Sequence, residues 1–372
     1  MTRRRTERRL GFAGVGVLGV FLIIEGVLRI LGLPGDPTMA ADGSAITLPS
    51  NPWLLWELAP GVRREGDVVV HVNRLGLRGP EPRIPKPPGV RRIVATGDST
   101  VYGFGVADAD VFVDVAAEAL GGPAAGIEGW TVGVPGYSTF QTLNLLEMRG
   151  WRLEPDVLII ANIWSDHMID AFVDRDLIDA WSRFDGGWAG RAQRVLARLN
   201  TFRLLDRALR VERGPQARAR AIGWKQGQLR KSGPRRVSLV DYTHNLTSLA
   251  ELARSHGAEP FFLLLPSPMD VTEPTTPFSW DTYRAAMRQV AVQEGAPLLD
   301  GADLFHRSGL PVSDLFLDNV HPSALGHALL GHATADALRS TGLVPGPGAT
   351  AAAPSGNEPV SPPSPPPRPS PP

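Results

Sequence analysis

Across the middle of the chain, short apolar runs alternate with longer segments in which apolar residues recur every three or four positions. The runs are residues 92–96 (RIVAT), 130–133, 157–162 (VLIIAN), 260–265 (PFFLLL) and 297–299. They lack the polar alternation of a strand with one wet face, so the pattern predicts strands covered on both sides. Helical periodicity falls on 108–120, 139–149, 239–256, 280–294 and 323–340. Strand then helix, repeated, predicts a parallel sheet in a three-layer α/β sandwich, with function at the C-terminal ends of the strands. Ahead of this lies a preamble with a strand at 68–72 (VVVHV), a turn-rich return at 73–79 (NRLGLRG) and several prolines between 80 and 88.

The two ends follow a different grammar. Arg3, Arg4, Arg5, Arg8 and Arg9 precede an uninterrupted apolar run from residue 10 to 24, which extends to 33 if Glu25 and Arg29 pair across one helical turn. This predicts a transmembrane signal anchor with its N-terminus in the cytoplasm and the rest of the chain extracytoplasmic, periplasmic or at the cell surface; a cleaved signal peptide is the rival. Residues 345–372 hold 12 of the 35 prolines and predict a disordered tail. The expected organisation is 1–34 basic segment and anchor, 35–90 preamble, 91–344 main domain and 345–372 tail.

Composition narrows the chemistry. With 38 basic and 38 acidic residues the net charge is zero, so no global field recruits nucleic acid. The absence of cysteine removes thiolate metal sites, iron–sulfur clusters, disulfides and cysteine nucleophiles. Charge is concentrated locally, in residues 186–236, where fourteen arginines and lysines face only Asp206 and Glu212. Val195, Leu196, Leu199, Phe202, Leu205 and Leu209 are spaced there as one face of a helix, giving a basic helical insertion that is either a solvated face or a contact for an anionic membrane surface or glycan.

Three segments carry candidate chemistry, two at strand ends and one in a loop before the last helix. Residues 92–96 run into Gly97, Asp98, Ser99 and Thr100, which sets a serine on a tight strand-to-helix turn, although Val101 excludes the G-x-S-x-G elbow. The loop from Gly133 to Thr139 has glycines at 133 and 136 that let the backbone approach a ligand. Before the last helix, Asp318 and His321 stand three residues apart, the carboxylate and imidazole that an acyl-transferring serine needs. No histidine has H-E-x-x-H spacing or a carboxylate cluster beside it, so neither a metal nor another cofactor is expected. His167 follows Asp166 at a strand end and is left without a role, and Trp164 and Tyr102 are either pocket walls or packed aromatics.

In this order, these segments resemble the SGNH (GDSL-type) hydrolase family over about residues 90–340. The resemblance implies a flavodoxin-like parallel sheet, with Ser99 as nucleophile, His321 as general base and Asp318 as its orienting carboxylate. It makes Gly136 an oxyanion donor beside the Ser99 N–H. The anchor's EGVLR, the NRLGLRG preamble, and Tyr242, Asn245 and Leu246 further resemble its membrane-anchored bacterial branch. One segment departs: an ungapped match puts Ser165 where the family has an oxyanion asparagine, and Asn162 is an alternative only if its strand ends early.

The reading that follows is a serine esterase or deacylase acting on an O-acyl ester of an envelope glycan or lipid. An O-acyltransferase using the same triad, and a non-catalytic glycan- or lipid-binding protein on the same scaffold, are the alternatives.

Overall fold

The computed structural model describes residues 16, 19–31, 46–47, 53–170, 172–179, 188, 192, 195–196, 199–209 and 233–344. The strands, in chain order, are β1 (Ile46–Thr47), β2 (Glu57–Leu58), β3 (Gly61–Glu65), β4 (Val68–Val72), β5 (Arg91–Thr96), β6 (Ile127–Thr131), β7 (Val157–Ile160), β8 (Glu259–Leu264) and β9 (Leu298–Asp300). The last five form one parallel sheet in the order β6-β5-β7-β8-β9. That is the 2-1-3-4-5 order of a flavodoxin-like sheet, as the apolar pattern and the resemblance together led us to expect. The chain leaves β5 on one side for β6 and returns across it to β7, so the loops after β5 and β7 diverge and open a crevice between them.

Both faces are covered. Helices Phe112–Ala119 and Ala324–Ser340 pack together on one face, and Thr139–Met148, Leu239–Ser255 and Asp281–Gln293 on the other. This double cover explains why β7 is buried at every position and reads as VLII without a polar break. Two sequence boundaries are corrected. β6 begins at Ile127, three residues earlier than the apolar run, because Glu128 and Gly129 interrupt the run while Glu128 serves as acceptor for the buried Arg92 at 2.7 Å. The helix expected over 108–120 is a 3₁₀ turn, Asp108–Asp110, followed after Val111 by the α-helix Phe112–Ala119.

The preamble is part of this core. β3 and β4 pair as an antiparallel hairpin, and Leu54, Leu55, Trp56, Leu58 and Leu77 are buried in the main apolar cluster. Arg78 is buried too, with its guanidinium donating to the carbonyls of Tyr102, Gly103 and Val106 and to Asp108 Oδ1. Four of its five N–H groups are thus engaged, and removing a partner would leave a buried charge unpaired at considerable cost. Here it pins the loop that follows Ser99.

Of the N-terminal region, residues 19–30 are helical, and Arg29 donates to Glu25 at 2.8 Å, the pairing expected from their spacing. Glu25 also accepts the N–H groups of Asn200 and Thr201 and the Thr201 hydroxyl at 2.8–2.9 Å, at the start of helix Asn200–Leu209. Among the described residues no helix is long and apolar enough to cross a membrane. Residues 10–15 and 17–18 of the apolar run, most of the basic insertion and all of the tail lie outside the described residues.

Candidate active site

β5 delivers its last residue, Thr96, to Gly97, where a side chain would stand 2.3 Å from Val101 Cγ2 and 3.1 Å from the Ala161 carbonyl. Only glycine allows the turn to close. Asp98 then caps the short helix Ser99–Tyr102, accepting the Thr100 N–H at 3.1 Å, so Ser99 occupies the first helical position with its N–H unspent. The helix stops at Gly103, which is left-handed.

On the loop before the last helix, Asp318 accepts the N–H groups of Val320 and His321 through Oδ1 and faces His321 Nδ1 at 2.7 Å through Oδ2. His321 Nε2 lies 2.8 Å from Ser99 Oγ. A proton on Nδ1, held by the carboxylate, leaves Nε2 as the acceptor for the serine hydroxyl. The loop is held in place by Leu317 N–H donating to the His321 carbonyl and Ser323 N–H to that of Leu315. The Phe104 ring lies against the imidazole, 4.7 Å between centroids. Partial burial pushes the Asp318 pKa up, but the hydrogen bonds and positive charge from His321 outweigh it and hold it at about 2.

The structure therefore brings Ser99, His321 and Asp318 together. Gly136 sits on the loop after β6 with φ +78°, in the left-handed region. Among the described residues, the N–H groups of Ser99 and Gly136 donate to no protein acceptor. Ser165, in helix Trp164–His167 after β7, is tied to the same turn, its N–H donating to Asp98 Oδ2 at 3.1 Å.

The alternative donor, Asn162, lies beyond the end of β7 in the buried interior. β7 does end early, at Ile160, but the Asn162 amide is fully buried and donates to Thr142 Oγ1 at 2.9 Å. Tyr102 is a packed aromatic: its hydroxyl donates to Glu65 and its ring lies under Arg78. His167 stands in an aromatic cluster with Trp164, Trp280 and Tyr283, and burial lowers its pKa to about 4. His71 lies against a single carboxylate, Asp108 Oδ2 at 2.7 Å. Among the described residues no three His, Asp or Glu side chains converge as a metal site would require.

The sequence assigns no structural role to several residues that support the site. Asp166, fully buried, accepts both the N–H and the hydroxyl of Thr139, whose Oγ1 also takes a hydrogen bond from Asn245. Tyr242 donates to the Asn162 carbonyl at 2.6 Å, so the Y-x-x-N-L segment locks the loops after β6 and β7 together. Burial raises the Asp166 pKa to about 7 against these hydrogen bonds. Arg236, counted in sequence with the cationic insertion, is instead buried and doubly paired with Asp174.

Residues 95–329 match the model of the GDSL-like lipase/acylhydrolase family. Among solved structures the chain is similar to an α/β hydrolase enzyme from the metagenome of Lake Arreo, Spain (18% identity, TM-score 0.42, covering 68% of this chain and 96% of that one). It is also similar to a putative GDSL-like lipase from Parabacteroides merdae (15%, 0.43, 70% and 100%) and an acetylxylan esterase from Geobacillus stearothermophilus (16%, 0.43, 68% and 96%). Curated proteins include no match to the chain.

Proposed function

The chain belongs to the GDSL-like lipase/acylhydrolase family, and we propose that within it the protein is a serine esterase or deacylase that removes an O-acyl group from a cell-envelope glycan or lipid outside the cytoplasm. The observation that carries this reading is the relay Asp318 Oδ2 to His321 Nδ1 at 2.7 Å and His321 Nε2 to Ser99 Oγ at 2.8 Å.

In the proposed reaction Ser99 Oγ attacks the ester carbonyl carbon while its proton passes to His321 Nε2. The imidazolium that forms is stabilised by Asp318. Negative charge on the carbonyl oxygen is met by the N–H groups of Ser99 and Gly136 and by the Ser165 hydroxyl. Collapse expels the alcohol oxygen, which takes the proton from His321, and leaves an acyl-Ser99 ester. Water, deprotonated by His321, then releases the acid. A serine hydroxyl is a shorter and less fixed donor than an amide, so this oxyanion hole is weaker than one with asparagine.

Placement belongs to the same proposal. The arginine cluster and apolar run of residues 1–34 act as a membrane anchor, as in the family's membrane-anchored branch, and the basic insertion faces an anionic surface.

The test is intact-mass analysis of the full chain after fluorophosphonate treatment, beside Ser99→Ala. One adduct, lost in the variant, is expected; product analysis on acetylated glycans with and without a glycan acceptor then separates hydrolysis from transfer. No adduct on the folded protein would overturn the enzymatic reading and favour the binding one.

A further inference from the structure

The Pro135–Gly136 peptide would be free to turn if left to itself. Its plane rotates through ψ of residue 135 and φ of residue 136, and glycine at 136 removes the steric barrier on one of the two. Two buried donors hold this peptide and the one that follows it. Trp56 Nε1 donates to the Pro135 carbonyl at 2.9 Å, and Arg236 Nη1 donates to the Gly136 carbonyl at 2.7 Å. In a trans peptide the carbonyl and the following N–H point in opposite directions. A donor that fixes Pro135 C=O therefore fixes the Gly136 N–H on the other side of the plane.

Trp56 is itself held firmly. It is 2% exposed, Tyr137 Oη donates to its carbonyl at 2.5 Å, and Gln141 Nε2 donates to the carbonyl of Leu54 two residues earlier. The Tyr137 ring meets the indole edge-on at 5.9 Å, and the Arg236 guanidinium lies 5.4 Å from the indole centroid. A Cβ on residue 136 would stand 3.0 Å from Trp56 Cζ2, so the indole also occupies the space that glycine leaves.

We infer that Trp56, a residue of the preamble, is a positioning residue for the oxyanion hole: by gripping the Pro135 carbonyl it keeps the Gly136 N–H aimed at the oxygen that becomes negative. The inference rests on the esterase reading and on Gly136 as a donor. Its physical content is preorganisation, because a dipole already fixed before the reaction costs nothing to reorient as charge develops. The preamble is then a working part of the site as well as of the core.

The experiment uses the full chain in detergent, with p-nitrophenyl acetate as substrate and a trifluoromethyl ketone as oxyanion-forming inhibitor. Trp56→Phe keeps an aromatic ring and removes the donor. We expect kcat to fall about tenfold or more with KM within about twofold, and inhibitor affinity to fall by the same factor as kcat/KM. Should that variant fail to fold, 3-benzothienylalanine at position 56 keeps the bicyclic ring without its N–H and carries the same expectation. A folded variant with kcat within about twofold of wild type, or one whose kcat/KM falls while inhibitor affinity stays, overturns the inference. A wild-type protein inert to both p-nitrophenyl acetate and fluorophosphonate overturns the esterase reading itself, a separate and recognisable result.

Discussion

The buried carboxylate of Asp98 accepts the backbone N–H of Ser165 at 3.1 Å through one oxygen while the other caps the helix that begins at Ser99. One side chain thus ties together the two loops that diverge on either side of the crevice. Asp98→Asn keeps one acceptor oxygen and turns an amide N–H₂ toward an N–H that needs an acceptor. We expect it to lower kcat about tenfold or more and to lower Tm by a few degrees, measured by ester hydrolysis and calorimetry.

Asp318→Asn should keep the fold and lose the orientation of His321. By analogy with other serine triads kcat should drop about 10³–10⁴-fold with little change in KM. Its effect on stability has a definite sign. The folded Asp318 pKa lies at about 2, below the ordinary 3.8, so its contribution is present above pH 4 and is lost as pH falls toward 2. Its side chain is 48% exposed, so that contribution is small. Acid titration of Tm in wild type and variant checks both points, the variant lacking this part of the decline.

Position 165 offers a test in both directions. Ser165→Ala removes the third proposed donor and should lower kcat about tenfold or more, whereas Ser165→Asn restores an amide and should raise it above wild type. Steady-state kinetics at saturating ester reads both; equal rates for serine and alanine would remove Ser165 from the oxyanion hole.

Two buried carboxyls should make the fold prefer mild acid. Burial pushes Asp166 and Asp114 up to about 7, so between pH 4 and 7 the folded state binds protons that the unfolded chain has released. Stability from this source is greatest below pH 4 and falls as pH rises through 7. Melting curves from pH 5 to 8 should show Tm declining, and the decline should be shallower in Asp166→Asn.

Much of this architecture was legible before any coordinates. Runs such as VLII and FFLL are apolar because helices cover both faces, and that double cover follows from the helical crossovers that a parallel sheet requires. Ser99 stands out because it falls on a turn at an expected strand end, and Asp318 and His321 because a carboxylate and an imidazole share the loop before the last helix. Arg236 and Arg78 do not, since in one dimension an arginine looks like solvated charge; only the fold supplies Asp174 and the carbonyls of residues 102–106 that bury them. Trp56 was silent for a related reason. Its segment has no periodicity, and its meaning lies in a carbonyl 79 residues further along the chain.

The helix Asn200–Leu209 starts on a carboxylate that belongs to the N-terminal helix. Glu25 receives three donors from Asn200 and Thr201, the part that a side chain just ahead of a helix ordinarily plays for its own first turn. A signal peptidase cutting near residue 40 would carry that acceptor away and leave the later helix to begin uncapped. Residue 25 is thereby part of the immediate surroundings of a helix that begins 175 residues further along the chain.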